Sequence, residues 1–257
     1  MGLIAWGFLA SLAAGLATAV GALPVLFGHT ISLRTSDVLL GFAAGVMLAA
    51  SFFSLIIPGH EAARDLYPGA LLPAAIIVLG VLAGGGIIAF LNEALPHEHF
   101  FQGVEGTETT ALARVWLFVI AITLHNFPEG LAVGVGFGGG NIEKGLTLAT
   151  GIGLQNAPEG LAVALALAAI GYSKGVAVLI AAATGLVEPV SGLAGAYAVS
   201  LSAHVLPWGM AAAAGAMIYV ISHEIIPESH RHGAQDAATL GLMAGLAAMM
   251  FLDIAFT

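Results

Sequence analysis

No cysteine occurs among the 257 residues. That excludes disulfides, thiolate metal ligands and a cysteine nucleophile together, so any metal must be held by nitrogen and oxygen. Charge is scarce as well. Charged residues make up 8% of the chain, 15 acidic and 6 basic, for a net charge of −9. Soluble domains carry about 25% charged residues. So few charges cannot cover a soluble surface of this size, and the bilayer must be the main solvent. Six Lys and Arg form no basic patch, which excludes nucleic acid as a partner. The first twenty residues lack a basic n-region and run on past signal-peptide length, so they read as a first span rather than a cleaved signal. Trp6 stands where a myristoylation motif needs Ser or Thr. No H-E-x-x-H is present, and no polar stretch is long enough for a soluble domain. Residues 1–257 therefore read as a single polytopic transmembrane domain.

What the chain has is apolar length. Hydrophobic residues make up 59% of it, and the mean hydropathy is +1.01. A membrane span needs about 20 apolar residues. Eight segments qualify, at roughly 3–27, 38–58, 70–92, 113–138, 146–170, 175–200, 206–227 and 236–256. All read as helices, since the short alternating strands of a membrane barrel are missing. The 35 glycines suit close packing of membrane helices. Met47 and Met217 read as packing residues too. The longest polar stretch, about 93–112, follows the third span. Arg34, Arg114, Lys174 and Arg231 lie in or beside odd-numbered loops, and Arg64 and Lys144 in even-numbered ones. By the positive-inside rule the odd loops are cytoplasmic and both termini lie outside.

Two internal repeats are visible. HNFPEGLAVGV (125–135) and QNAPEGLAVAL (155–165) share Asn, Pro, Glu, Gly, Leu, Ala and Val in register. GVMLAASFFSLIIPGHE (45–61) resembles GAMIYVISHEIIPESH (215–230) with a one-residue offset. The first pair sits on spans four and five, the second on spans two and seven. Consecutive spans run antiparallel, so the repeat implies an inverted pseudo-two-fold axis in the membrane plane. Such folds place their site near the midplane, at the repeat interface. The expected fold is an all-α membrane protein of eight transmembrane helices, with a metal site between helices four and five.

Four polar side chains carry the chemistry. His125 and Glu129 are four residues apart and share a helix face. An ionised Glu at mid-span depth is costly and must be protonated, paired or metal-bound. Gln155 and Glu159 repeat the arrangement on span five. Together they offer an imidazole, an amide oxygen and two carboxylates, a ligand set for a borderline divalent ion such as Zn²⁺. The other reading is a polar contact that glues two helices. Pro128 and Pro158 lack an N–H, which frees the carbonyls of Leu124 and Leu154 and should kink both helices there. Asn126 and Asn156 could supply amide oxygens to a neighbouring second site or support the first. Glu188, followed by Pro189, reads as a ligand or bridging carboxylate at a second metal position, or else as a protonated Glu bonded to a neighbouring helix. His223 and Glu224 read as an exit relay toward the cytoplasm, or as an interfacial pair at a helix end. His60 and Glu61 read as cation collectors at the outer entrance, or as ordinary loop residues. His97, Glu98 and His99, and His230 with His232, form short His clusters that either bind metal transiently or are simply solvated.

At these residues the chain resembles the ZIP family of divalent-metal transporters, in its bacterial GufA-like branch. The resemblance runs along essentially the whole chain, with ATGLVEPVSG (183–192) and SHEIIPE (222–228) adding to the two PEG motifs. It implies uptake of Zn²⁺, and also Cd²⁺, Fe²⁺ or Mn²⁺, as bound substrate, into the cytoplasm through a two-metal centre. His125, Glu129, Gln155 and Glu159 then match its primary position. Asn126, Asn156 and Glu188 match its secondary one, with Glu129 and Glu159 bridging, and His223 and Glu224 match its inner pathway. It also implies sliding of one helix bundle against another. The expected setting is a bacterial inner membrane, with divalent ions, lipid and a second copy of the chain as partners and no enzymatic activity. The competing readings are a proton-coupled transporter of a non-metal substrate and a membrane-embedded metalloenzyme.

Overall fold

The computed structural model describes residues 2–28, 32–94, 111–231 and 233–256. Helices dominate, and no strand occurs among the described residues. Among the described residues seven helices are long and apolar enough to cross a bilayer: α1 (Leu3–Phe27), α2 (Leu33–Leu66), α3 (Leu71–Leu91), α5 (Ile142–Ala169), α6 (Lys174–Leu201), α7 (Val205–Ser229) and α8 (Gln235–Ala255). The remaining long helix, α4 (Ala111–Gly138), has 28 residues and carries the HNFPEG motif. The chain is an integral membrane protein built from the expected helices. The motif HEH at His97, Glu98 and His99 lies outside the described residues, as does His232.

Side-chain caps set several starts. Ser32 accepts the Thr35 N–H at the start of α2, Asn141 accepts the Lys144 N–H at α5, and Ser173 accepts the Val176 N–H at α6. Each satisfies a donor that the first turn leaves free. The Ser32 cap also explains why α2 starts ahead of the apolar stretch read from hydropathy. At its other end the helix runs on through Pro58 into the polar stretch His60–Leu66, which hydropathy alone leaves out.

Two helices carry a wider turn. Residues Ala50–Ile56 of α2 and Ile221–Ile225 of α7 are π-helical, and a proline follows each at Pro58 and Pro227. These segments are the second repeat read from the sequence, so one distortion recurs in both halves. A third irregularity falls in α6. It breaks at Leu186 into Lys174–Gly185 and Val187–Leu201. Pro189 cannot donate to the Gly185 carbonyl, which accounts for the break. α4 and α5 stay helical through Pro128 and Pro158.

The helices pack as two bundles. In one, α1 lies on α4, α5 and α6, and α4 lies on α6. In the other, α2 packs on α8 and α3 on α7, with α2 and α7 in contact. Exchanging α1 with α6, α2 with α7, α3 with α8 and α4 with α5 maps the main contacts onto one another. The α1–α5 pair becomes α6–α4, α2–α8 becomes α7–α3, and α2–α5 becomes α7–α4. This is the inverted repeat in three dimensions.

Glycine separates the contacts inside a bundle from those between bundles. Inside the first, a Cβ at Gly15 would strike the Gly185 carbonyl, one at Gly160 the Thr18 carbonyl, and one at Gly134 the Gly192 carbonyl. Inside the second, Gly45 faces the Leu242 carbonyl, Gly84 that of Ala212 and Gly215 that of Val81. Backbone rests on backbone, the close approach that membrane helices use in place of a hydrophobic driving force. Between the bundles the described glycines meet side-chain ends instead: Gly151 meets Met249, Gly209 meets Val135 and Gly139 meets Leu206. Lipid-facing surface is apolar, as at Leu79, Leu82 and Phe90 of α3.

These contacts predict the outcome of a paired substitution. Gly84→Leu drives a side chain into the backbone of α7 and should destabilise the protein by about 1–3 kcal/mol. Gly86→Leu, one turn position away, meets nothing within 4 Å and should leave stability within about 0.5 kcal/mol. Thermal unfolding of the detergent-purified protein measures both, and equal melting temperatures would contradict the packing described.

Candidate metal centre

The site lies inside the first bundle, where α4 and α5 bring the two PEG motifs together. His125, Asn126 and Glu129 come from α4, Gln155, Asn156 and Glu159 from α5, and Glu188 from the first turn of the second half of α6. All seven are buried, each at 0–1% exposure. The repeated spacing places the carboxylate of each motif one turn beyond its His or Gln.

The geometry is compact. His125 Nε2 lies 3.3 Å from Glu129 Oε1 and 3.6 Å from Glu159 Oε1. One ligand atom from each of His125, Glu129 and Glu159 can be chosen so that all lie within 4.8 Å of one another. The Gln155 amide donates to Glu129 Oε1 in a very short contact. Beside this group, the Asn156 amide nitrogen donates to Glu188 Oε1 at 2.6 Å and to the Ala14 carbonyl of α1 at 2.9 Å.

Many of these atoms lack partners. Both ring nitrogens of His125, both amide atoms of Asn126 and both oxygens of Glu159 make no hydrogen bond among the described residues. The same holds for Glu129 Oε2, Gln155 Oε1, Asn156 Oδ1 and Glu188 Oε2. Leaving a buried polar group unpaired costs about 1–3 kcal/mol, more if it is charged. A cation coordinated by an imidazole nitrogen, an amide oxygen and carboxylate oxygens would relieve that cost. Such a mixed nitrogen and oxygen set suits a borderline divalent ion.

Glycine makes room for the cluster. Gly130 and Gly160, the last residues of the two PEG motifs, face the Glu188 carbonyl of α6 and the Thr18 carbonyl of α1. A side chain at Gly130 would also strike Ser191 Oγ. Sequence reasoning reads these glycines as general packing, yet their recurrence directly after the glutamate of each motif is the available signal. It also missed the tie from Asn156 to Ala14, because a main-chain acceptor 142 residues away leaves no trace in spacing.

The other candidates lie apart from this cluster. Glu61 is exposed and pairs with Lys144 of α5 at 3.4 Å, and His60 beside it is half-buried. His223 and Glu224 are half-buried within the π-helical turn of α7, with the His223 ring 5.0 Å from that of Tyr219. His230 ends that helix and is half-buried. Ser54, in the π-helical turn of α2, donates to Asp253 of α8 at 2.7 Å, a buried pair for which the sequence offered no sign.

Known proteins share this arrangement of sequence. A family model described as ZIP Zinc transporter matches residues 93–253. Zinc transporter ZIPB of Bordetella bronchiseptica is 50% identical over 93% of this chain and 77% of its own length. Zinc transporter GufA of Myxococcus xanthus is 49% identical, over 96% of this chain and 98% of its own. A more distant relative, zinc transporter ZupT of Chlorobium chlorochromatii, is 32% identical over 99% and 98%.

Ligation by these groups has a pH signature. Imidazole and carboxylate must be deprotonated to bind, so protons compete with the ion. Zn²⁺ affinity should be higher at pH 7 than at pH 5, falling by roughly tenfold per pH unit for each proton displaced. Calorimetric titration of the purified protein at both pH values measures it, and a flat profile would argue against His125 and the glutamates as ligands.

Proposed function

The chain belongs to the ZIP zinc-transporter family, and from that premise we propose that it carries divalent metal cations, zinc foremost, into the cytoplasm through the centre between α4 and α5. The observation that carries this reading is the convergence of His125, Glu129 and Glu159 at full burial, with Glu129 Oε2 and both Glu159 oxygens lacking a hydrogen-bond donor among the described residues. In this reading Gln155 completes a four-residue cradle, and Asn126, Asn156 and Glu188 form an oxygen-rich flank beside it.

The cradle suits transport because its ligands come from two helices. Side chains bind the ion, and a change in the relation between α4 and α5 or their neighbours would alter the fit. His60 and Glu61 stand at the outer end of α2 and collect cations. His223 and Glu224 stand at the opposite end of α7 and relay them onward, with both termini outside, in a bacterial inner membrane. The bundle of α1, α4, α5 and α6 carries the site, and in the sliding that the resemblance implies it moves against the other four helices. Relatives named as zinc transporters favour this reading over a membrane hydrolase, and the nitrogen and oxygen donor set favours it over a proton-coupled carrier of a non-metal substrate.

Uptake into proteoliposomes tests it. The unaltered chain should load Zn²⁺ or Cd²⁺ down a gradient. Changing groups that merely support a metal ligand already costs 10–100-fold in affinity or activity, so Glu159→Ala and His125→Ala should each lower the initial rate by roughly tenfold or more. Absence of flux from the unaltered protein, or equal flux in all three, removes the reading.

A further inference from the structure

The number of ions the centre holds follows from Asn156, granted the reading that one ion sits among His125, Gln155, Glu129 and Glu159. A second ion beside it would have to sit against Asn126, Asn156 and Glu188. The Asn156 amide nitrogen already faces two oxygens there, Glu188 Oε1 at 2.6 Å and the Ala14 carbonyl at 2.9 Å. Only the NH₂ end of the amide can satisfy two acceptors, since the carbonyl end would repel both. Both hydrogens of Asn156 are therefore committed, and α5 is tied to α1 and α6 at once. Among the described residues its repeat mate Asn126 has no hydrogen-bond partner for either amide atom.

This tie acts against a second cation in two ways. It directs one N–H, at the positive end of the amide dipole, at the carboxylate a second ion would need, and it occupies one of that carboxylate's two oxygens. It also leaves the cluster short of charge. Glu129, Glu159 and Glu188 supply three negative charges in a volume closed to water. One divalent ion leaves one negative charge over, whereas two ions leave an excess positive charge in a low-dielectric interior. The remaining Asn156 Oδ1 is a neutral donor and does not correct that balance. An aspartate at this position would remove the N–H donors and supply the fourth negative charge.

We propose that Asn156 is a positioning residue rather than a ligand, and that it limits this centre to one divalent ion at a time. The test is metal stoichiometry of the full-length, detergent-purified protein, equilibrated with excess Zn²⁺, desalted and counted as ions per chain by mass spectrometry of the metal. The unaltered chain should hold one ion, and Asn156→Asp two. Asn156→Ala should still hold one while melting at a lower temperature, because the tie between three helices is gone. Two ions in the unaltered protein overturn the inference and leave the proposed function standing, as does a single ion in a folded Asn156→Asp protein. No bound ion in the unaltered protein overturns the proposed function and this inference with it. Should Asn156→Asp fail to fold, the count for the unaltered chain decides alone, one ion supporting the inference and two overturning it.

Discussion

The cost of holding carboxylates away from water governs this molecule. Glu129, Glu159 and Glu188 sit at 0–1% exposure beside the imidazole of His125, in a chain that has few charges anywhere else. Ionised groups are tolerated in such a place when something offsets their lost hydration. Here the compensation from the protein is partial. Gln155 and Asn156 each donate to one carboxylate oxygen and His125 Nε2 lies close to Glu129 and Glu159, but Glu129 Oε2, Glu159 Oε2, Glu188 Oε2 and His125 Nδ1 have no hydrogen-bond partner among the described residues. The partial satisfaction is what makes the centre chemically demanding of a cation. A fully hydrogen-bonded cluster of the same residues would be a structural contact and nothing more.

The surroundings can be read as the means of keeping this cluster together. Three helices must approach closely enough for short side chains to reach a common point. Gly130 and Gly160 allow it by removing side chains directly beside Glu129 and Glu159, where α6 and α1 lie against them. The break in α6 at Leu186 serves the same end. It begins a new helical segment whose first turn carries Glu188, the end of a helix at which a negative charge is favoured. The inverted repeat supplies the frame twice over, yet its two copies differ, with His125 opposite Gln155, and Asn126, which makes no side-chain hydrogen bond among the described residues, opposite an Asn156 whose amide nitrogen bonds two acceptors.

Much of this was legible before any coordinates. Apolar run lengths marked the spans, the paired PEG motifs marked α4 and α5 as the helices that bring buried polar groups together, and Glu188 beside Pro189 marked a third carboxylate that lies with them. What stayed hidden depends on contacts remote in sequence or on backbone geometry without a residue code. The π-helical turns, Ala50–Ile56 and Ile221–Ile225, read as ordinary helix in the sequence, and hydropathy locates the part of α2 inside the lipid rather than the helix itself. The Ser54–Asp253 pair joins residues 199 positions apart. Asn156 was visible as a candidate oxygen donor, but whether its amide offers oxygen or N–H is settled by the neighbours it meets, Ala14 and Glu188.

The different use of glycine inside and between bundles has a mechanical consequence. Where backbone is seated in backbone, as at Gly15 on Gly185 or Gly84 on Ala212, any shear forces main-chain atoms to collide, so each bundle is stiff. Where a glycine faces the flexible end of a Met, Leu or Val side chain, as at Gly151 on Met249, rotamer changes absorb displacement cheaply. The molecule is thus two rigid plates with a compliant seam. Strain from lipid tension will concentrate in that seam and spare the buried cluster of His125 and the glutamates.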